Sequence, residues 1–233
     1  MAHADVGHAG AEHADAASGQ RVVLFDFDGV LIHGDTFGMF LRDRYAHAWW
    51  RKGMVLLLAP CLLLVLPLSW RRVVRVLVRI GLLGVGAVRY RELAETFAMR
   101  LVHRPRQFLR DGLGALRMHA ATGDRVVVVT GCEDALVRGV LAGLGVDGVE
   151  VLASRLCSGR LGMRSEWHNV GRRKVEALAA HGISVWQIAY SDSSQDLPML
   201  AKAVEPVLVN ADPKLCRRVE KALGRSVARV EWD

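Results

Sequence analysis

Short apolar runs that end in polar or small residues recur along this chain and alternate with stretches of helical periodicity. The first run, RVVLF, is rich in β-branched residues and ends at Asp26. Comparable runs begin at Arg125, Val149, Val185 and Val207. Strands that alternate with helices predict a mainly parallel sheet with helices on both faces. We therefore expect an α/β fold with a Rossmann-like core.

Residues 37–104 interrupt this alternation, because they show helical patterns without an intervening strand. Within them, residues 53–70 carry no charge over eighteen positions, and a helix of that length would nearly match a bilayer core. Tryptophans lie at both ends and basic residues flank them, as at a membrane interface. Pro60 and Pro67 would kink or break a simple helix.

Two interpretations of residues 53–70 remain open, a membrane segment or a buried helical hairpin. A single crossing would separate Asp26 from the motifs that follow, so it is excluded if these residues share one site. We favour a re-entrant or interfacial element, with a two-pass hairpin second. Basic residues at 72, 75 and 79 fall on one helical face and fit an anionic membrane surface, although a solvated face is the alternative.

The net charge of +7 is concentrated in the same part of the chain. Residues 42–110 contain fourteen Arg or Lys residues and three Asp or Glu residues. This asymmetry indicates an anionic partner, and without a nucleic-acid motif we expect a phospholipid membrane and not nucleic acid. The four cysteines show no C-x-x-C spacing, which favours reduced thiols in the cytosol.

Polar side chains follow three of the strand patterns at the point where each strand ends. They are Asp26 and Asp28, then Thr130 with Gly131, and finally Asp192 and Asp196. Lys174 lies near the start of a helical pattern between the second and third groups. Neighbouring carboxylates repel each other unless a cation or a shared proton relieves them, so the first pair favours a hard cation such as Mg²⁺. An ordinary acidic turn is the alternative.

The order of these motifs resembles that of the haloacid dehalogenase-like (HAD) phosphatase superfamily. DFDGVLIHGDTFGMFLR together with YSDSSQDLPML is similar to the subfamily of phosphoserine phosphatase relatives, and within it to phosphatidylglycerophosphatases. The resemblance spans about residues 21–210. It implies a core of residues 21–36 and 105–233, with a helical cap at 37–104 inserted after the first strand. Residues 1–20 are expected to form a disordered tail.

The resemblance implies a catalytic or metal-binding role for each carboxylate. Asp26 would be the nucleophile that forms an aspartyl-phosphate, and Asp28 would be the general acid and then the base that activates water. Asp26, Asp192 and the backbone carbonyl of Asp28 would bind Mg²⁺, and Asp196 would support this metal site from outside.

The same resemblance assigns phosphoryl binding to Thr130, the backbone N–H of Gly131, and Lys174. Arg172 and Arg173 adjoin this lysine, so its register stays open by a residue or two. The implied function is an Mg²⁺-dependent phosphatase of phosphatidylglycerophosphate at the cytoplasmic face of the cell membrane. The alternative is a phosphatase of a small soluble phosphomonoester such as phosphoserine. His33 and Asp35 would either contact substrate or form an exposed loop with a helix cap.

Overall fold

The computed structural model describes residues 20–233, so the predicted tail lies outside the described residues except for Gln20. The strands are β1 (Val22–Phe25), β2 (Arg125–Glu133), β3 (Glu150–Gly159), β4 (Gly162–Trp167), β5 (Trp186–Ser191), β6 (Ala203–Val209) and β7 (Ala228–Val230). They form one sheet in the order β4-β3-β2-β1-β5-β6-β7, in which β3 and β4 are antiparallel and the other described neighbours are parallel. The predicted α/β class with a mainly parallel sheet is confirmed.

Nine α-helices accompany the described strands. They are α1 (Thr36–Ala46), α2 (Trp49–Val65), α3 (Trp70–Gly81), α4 (Ala87–Val102), α5 (Arg110–Ala121), α6 (Asp134–Gly143), α7 (Arg172–Ala180), α8 (Leu197–Lys202) and α9 (Pro213–Leu223). A 3₁₀ turn, Ser194–Asp196, precedes α8. Helices α1 to α5 follow β1 before the chain returns to the sheet at β2.

Strand β1 is central and buried on both faces, which explains its unbroken apolar sequence. Because side chains alternate along a strand, Val23 and Phe25 pack on one face and Leu24 on the other. The first face is covered by residues of α4, α5 and α6, and the second by residues of α7, α8 and α9. This double cover holds the end of β1 rigidly where Asp26 begins.

Helix α2 projects its apolar side chains into solvent. Arg51 is the single buried residue of this fully described helix, while Leu57 and Leu64 are 80 % and 75 % exposed. The alternative of a buried hairpin is therefore wrong for this segment. The helix continues through Pro60 and ends before Pro67, so only the second of the two predicted helix breakers coincides with a break.

Helices α2 and α3 form a hairpin, hereafter the α2–α3 hairpin, whose two ends lie together. At its base, Nη2 of Arg51 is 3.4 Å from the carbonyl oxygen of Leu83. The hydroxyl of Tyr45 in α1 donates to the carbonyl of Leu77 over 2.5 Å. The turn at residues 66–69 is therefore the end of the hairpin that lies farthest from this base. Among residues 20–233, no single helix is long and apolar enough to span a bilayer, and α1 with α2 reaches that length only as a pair bent by 103°.

Several boundaries depend on turn geometry and tertiary pairing. Helix α5 begins at Arg110, after Arg106, whose positive φ of 56° does not fit a right-handed helix. The apolar run at Val149 continues into the long strand β3, which pairs along its second half with β4. Strand β6 begins at Ala203, ahead of the apolar run at Val207. Strand β7 has three residues and was not predicted.

Candidate active site

Asp26, Lys174 and Asp196 form a buried ionic cluster at the end of β1. Nζ of Lys174 lies 2.9 Å from Oδ2 of Asp26 and 2.8 Å from Oδ2 of Asp196. The lysine is the third residue of α7, while Asp196 ends the 3₁₀ turn after β5. Residues separated by as many as 170 positions therefore meet at one sheet edge. In contrast, the neighbouring Arg173 places its guanidinium over the ring of Trp167, 5.0 Å from the centroid.

Asp28 is held by the start of α1. Oδ1 of Asp28 accepts from the backbone N–H of Thr36 over 3.0 Å and from its hydroxyl over 2.6 Å. Asp35, and not Thr36, caps this helix and accepts from the backbone N–H of Gly38. The capping interpretation of Asp35 is thus the one that the geometry supports. The hydroxyl of Thr36 therefore makes no capping hydrogen bond. It is buried and donates to Asp28.

Gly29 allows Asp192 to approach the loop after β1. Its φ is +78°, and a Cβ atom at this position would lie 1.9 Å from Oδ2 of Asp192. A side chain here would displace that carboxylate, so glycine is required by both conformation and space. Phe25 is in register with Tyr190 of β5, and Asp192 accordingly follows β5 at the level where the chain leaves β1.

Thr130 and Gly131 lie on β2, beside the loop after β1. Phe25 is in register with Val128, which brings Thr130 level with Phe27. The Thr130 side chain is fully buried, and its hydroxyl oxygen accepts from the backbone N–H of Cys132 over 3.0 Å. Its hydroxyl hydrogen can therefore be donated to a phosphoryl oxygen. The carbonyl of Gly131 accepts from the hydroxyl of Ser154 over 2.7 Å, which anchors this end of β2.

Burial changes the acidity of the clustered groups. It raises the pKa of Asp28 to about 6, against the opposing hydrogen bonds from Thr36. Burial also raises the pKa of Asp26 well above its ordinary value despite Lys174, and it raises the pKa of Asp192. Burial alone would lower the pKa of Lys174, but Asp26 and Asp196 together raise it. The lysine is thus cationic, and a second positive charge would favour the ionised carboxylates.

The donor set fits a hard cation without forming a cage of side chains. No three His, Cys, Asp or Glu side chains within residues 20–233 are grouped so as to hold a metal by themselves. Asp196 is engaged by Lys174 and by the hydroxyl of Ser191, 2.7 Å away. The carboxylates of Asp26 and Asp192 and the backbone carbonyl of Asp28 remain as oxygen donors, which is the chemistry that Mg²⁺ prefers.

Two residues that support this site were not predicted from the sequence. The hydroxyl of Ser191 donates to Asp196 and accepts from the backbone N–H of Ser193. The hydroxyl of Thr36 donates to Asp28. Both follow signals that the sequence carries, since Ser191 ends a buried strand and Thr36 starts a helix. Short hydroxyl side chains are so common at such positions that the pattern alone does not identify their partners.

Comparisons with known proteins agree with this arrangement. The sequence profile of the haloacid dehalogenase-like hydrolases matches residues 23–201. Protein CicA of Caulobacter vibrioides (strain NA1000 / CB15N) is 31 % identical over 194 residues, which cover 79 % of this chain and 83 % of CicA.

Solved structures share the fold at lower identity. A protein of unknown function from Bordetella pertussis Tohama I has a TM-score of 0.67 at 22 % identity, over 90 % of this chain and 98 % of that chain. A phosphoserine phosphatase, solved as an analogue of its phospho-aspartyl intermediate, has a TM-score of 0.55 at 17 % identity, over 89 % and 93 %. The family profile spans more than half of the chain and includes all the residues gathered at this sheet edge, and the protein belongs to the haloacid dehalogenase-like hydrolases.

Proposed function

We propose that this hydrolase is an Mg²⁺-dependent phosphatase that removes the terminal phosphate of phosphatidylglycerophosphate at the cytoplasmic face of the membrane. The observation that carries the lipid substrate is the exposed apolar surface of α2, which belongs to a hairpin with both ends on the same side. The chemistry is supported by the cluster of Asp26, Asp28 and Lys174 at the end of the sheet.

The cluster suits phosphoryl transfer to a carboxylate. Lys174 holds Oδ2 of Asp26, and the backbone N–H of Phe27 donates to Oδ1 over 2.7 Å, so the carboxylate orientation is set before substrate binds. Attack by an Asp26 oxygen on phosphorus forms the aspartyl-phosphate while the ester bond to the alcohol breaks. Bound Mg²⁺ would supply positive charge beside the phosphoryl oxygens.

Asp28 is the residue suited to the proton transfers. With a pKa of about 6, it can carry a proton for the leaving alcohol near neutral pH and can accept one from water afterwards. Its hydrogen bonds with Thr36 fix the position of one carboxylate oxygen and leave the other available for the proton transfers. Thr130 and the N–H of Gly131 would bind phosphoryl oxygens from the side of β2.

The form of the α2–α3 hairpin supports a membrane role. Trp49 and Trp70, at the starts of α2 and α3, are 84 % and 64 % exposed, and the leucines of α2 lie between them. Aromatic side chains of this kind favour the membrane interface. Because the hairpin returns to its base, an interfacial or re-entrant placement leaves the catalytic residues before and after it on one side. Arg72 and Arg75, both exposed, add positive charge that would attract anionic lipids.

The alternative substrate is a small soluble phosphomonoester such as phosphoserine. It is favoured by the fold shared with a phosphoserine phosphatase. A fold alone does not fix a substrate, because one architecture hosts many functions. A soluble substrate also leaves the exposed leucines of α2 without a role. We therefore place the lipid phosphate first and phosphoserine second.

Phosphate release decides between these substrates. We expect kcat/KM for phosphatidylglycerophosphate in mixed micelles to exceed that for phosphoserine by at least about 100-fold, or about 2.7 kcal/mol of transition-state preference. The rate should depend on the surface fraction of lipid in the micelle. Excess EDTA should abolish both reactions, and Mg²⁺ should restore them.

Two results would reject parts of this proposal. Equal turnover of phosphoserine and the lipid, with no effect of detergent, would reject the lipid substrate and leave a soluble phosphatase. Full activity in excess EDTA, with no metal retained by the protein, would reject the requirement for Mg²⁺.

A further inference from the structure

Two arginines lie at the corner between α1 and α2 with hydrogen-bond donors that no described residue satisfies. Arg44 is in the last turn of α1 and Arg51 in the first turn of α2, and the two helices are bent by 103° between them. Arg51 is only 7 % exposed. The Nε atoms of both side chains are buried and have no hydrogen-bond partner within residues 20–233. Buried donors without acceptors are rare in native proteins and call for an explanation.

The groups around Arg51 do not neutralise it. Its Nη2 donates to the carbonyl of Leu83 over 3.4 Å, which is a long hydrogen bond to a neutral acceptor. Its guanidinium lies over the ring of Trp50 at 4.3 Å from the centroid, which is a cation–π contact and adds no negative charge. Tyr45, the other neighbour, uses its hydroxyl to donate to Leu77.

Arg44 has no carboxylate partner within residues 20–233 either. The adjacent Asp43 binds Arg100 instead, with 2.8 Å between Oδ2 and Nη2. Burial lowers the pKa of Arg44, and the positive charges of Arg51 and Arg89 lower it further. Arg51 and Arg89 therefore act on Arg44 at this corner, while Asp43 is bound to Arg100 and Arg89 is paired with Glu92 over 2.8 Å. The local charge is complementary to an anion.

We propose that Arg44 and Arg51 form a binding site for the phosphate group of an anionic phospholipid. Guanidinium groups bind phosphate oxygens with two parallel hydrogen bonds, so a pair of them can hold one phosphate. The site lies beside the exposed rings of Trp49 and Trp50, at the base of the α2–α3 hairpin. Acyl chains of a lipid bound there could run along the exposed leucines of α2. This site rests on the proposed function, because both require a membrane partner.

The proposed site is separate from the catalytic centre. Thr36, which binds Asp28, and Arg44 are eight residues apart on α1, or about 12 Å along the helix. The phosphate held by the arginines is thus a different group from the one that Asp26 attacks. The site would dock the enzyme on a neighbouring lipid while the substrate occupies the catalytic centre.

Vesicle flotation of the full chain tests the site. The vesicles are phosphatidylcholine alone or phosphatidylcholine with about 30 mol % phosphatidylglycerol, which supplies a net negative surface. The double variant Arg44→Gln/Arg51→Gln should bind the anionic vesicles at least about 10-fold more weakly than the wild type, because it loses both guanidinium forks. The matched control is Arg42→Gln/Lys52→Gln, which removes two exposed charges from the same helices.

The control should lose no more than about 3-fold, because diffuse attraction is spread over many charges. Arg44→Lys/Arg51→Lys keeps both charges without the planar forks and should still bind clearly less than the wild type. If the glutamine variant does not fold, this lysine variant tests whether vesicle binding requires the guanidinium groups. Hydrolysis of para-nitrophenyl phosphate, a soluble ester, should be unchanged in all variants.

Three outcomes would overturn this site. Equal losses in the arginine variant and the control would reduce it to general surface charge. Equal wild-type binding to both kinds of vesicle would remove the anionic lipid as its ligand. Calorimetric binding of inorganic phosphate without vesicles, in EDTA and dependent on Arg44 and Arg51, would assign the site to free phosphate. If no lipid phosphate is hydrolysed but the arginines still govern vesicle binding, the proposed substrate fails and the site stands.

Discussion

Asp26 occupies a position in which one carboxylate oxygen is held by Lys174 and the other by the backbone N–H of Phe27. Asp26→Asn keeps the shape of this side chain but cannot form an acyl-phosphate. We expect phosphate release to fall by at least about 10³-fold, with circular dichroism unchanged. Asp147→Asn, at an exposed loop position, is the control and should retain full activity. Activity of Asp26→Asn above about a tenth of wild type would contradict its role as nucleophile.

Gly29 offers a second test at the level of one residue. Gly29→Ala places a Cβ atom against Asp192 at a φ of +78°, so it should both destabilise the protein by about 1–2 kcal/mol and lower activity by at least about 100-fold. Gly145→Ala has a similar φ of +63° and no atom within 4 Å of the new Cβ. Gly145→Ala should lower stability, as measured by urea unfolding, but should leave the activity unchanged. Equal activity in the two variants would mean that Asp192 does not need its present position.

At this scale the sequence predicted which side chains would gather but not all of their partners. Asp26, Asp192 and Asp196 could be placed because each follows a predicted strand and parallel strands end at a common edge, and the resemblance to the HAD superfamily implied that they share one site. Lys174 could be placed only to within a residue or two, since a helix start bearing three basic residues does not reveal which one faces the core. The contacts of Thr36 and Ser191 depend on tertiary packing and have no local signature.

The α2–α3 hairpin is the element on which the substrate proposal depends. Leu57 and Leu64 are seven residues apart, so they lie on one face of α2 and both are exposed. Leu57→Gln/Leu64→Gln should reduce activity on lipid micelles by about 10-fold or more, because apolar area no longer enters the interface. Activity on a soluble ester and the free energy of unfolding should change little, since neither side chain is packed.

The control for the α2 variant replaces exposed apolar residues at the surface of the sheet domain. Val185→Gln/Val204→Gln changes side chains that are 59 % and 65 % exposed, at positions far along the chain from α2. This variant should retain activity on micelles. An equal loss in both double variants would show that general surface hydrophobicity, and not α2, governs access to the lipid.

The elements themselves were predicted with uneven success. Strands β1, β2 and β5 were found because buried parallel strands are continuous apolar runs. The α2–α3 hairpin could be recognised as apolar and basic, but composition does not state whether an apolar helix is exposed or covered. Strand β7 escaped prediction because its three residues, of mixed polarity, pair with β6 only through tertiary contact.

At the scale of the molecule, a buried hydrogen bond ties helix α4 to the end of β2. The hydroxyl of Tyr90 donates to Oε2 of Glu133 over 2.7 Å, and the backbone N–H groups of Ala135 and Leu136 donate to the same oxygen. Burial raises the pKa of Glu133, and the hydrogen bond from Tyr90 opposes this rise. The pair thus stabilises an ionised carboxylate where the helices inserted after β1 return to the sheet.

Tyr90→Phe should lower the free energy of unfolding by about 1–3 kcal/mol near pH 7, because the ionised carboxylate loses a donor. Without this donor, the pKa of Glu133 in the folded variant is raised further. The variant's stability then falls as pH rises above the ordinary range for a glutamate, so its loss of unfolding free energy should be smaller near pH 4 than at pH 7. Tyr45→Phe removes a hydrogen bond to a neutral carbonyl, and its effect should not follow this pH dependence. Urea unfolding at both values of pH measures the difference.

The position of β1 in the middle of the sheet also dictates an order of events during synthesis. One neighbour of β1, β2, starts about a hundred residues later, and the other, β5, follows at Trp186. A growing chain therefore carries an unpaired apolar strand and the exposed leucines of α2 until most of the protein has left the ribosome. Such surfaces are the ones that aggregate or recruit chaperones. We expect chains that stop before β5 to be insoluble, whereas loss of β7 alone, at the sheet edge, should be tolerated far better.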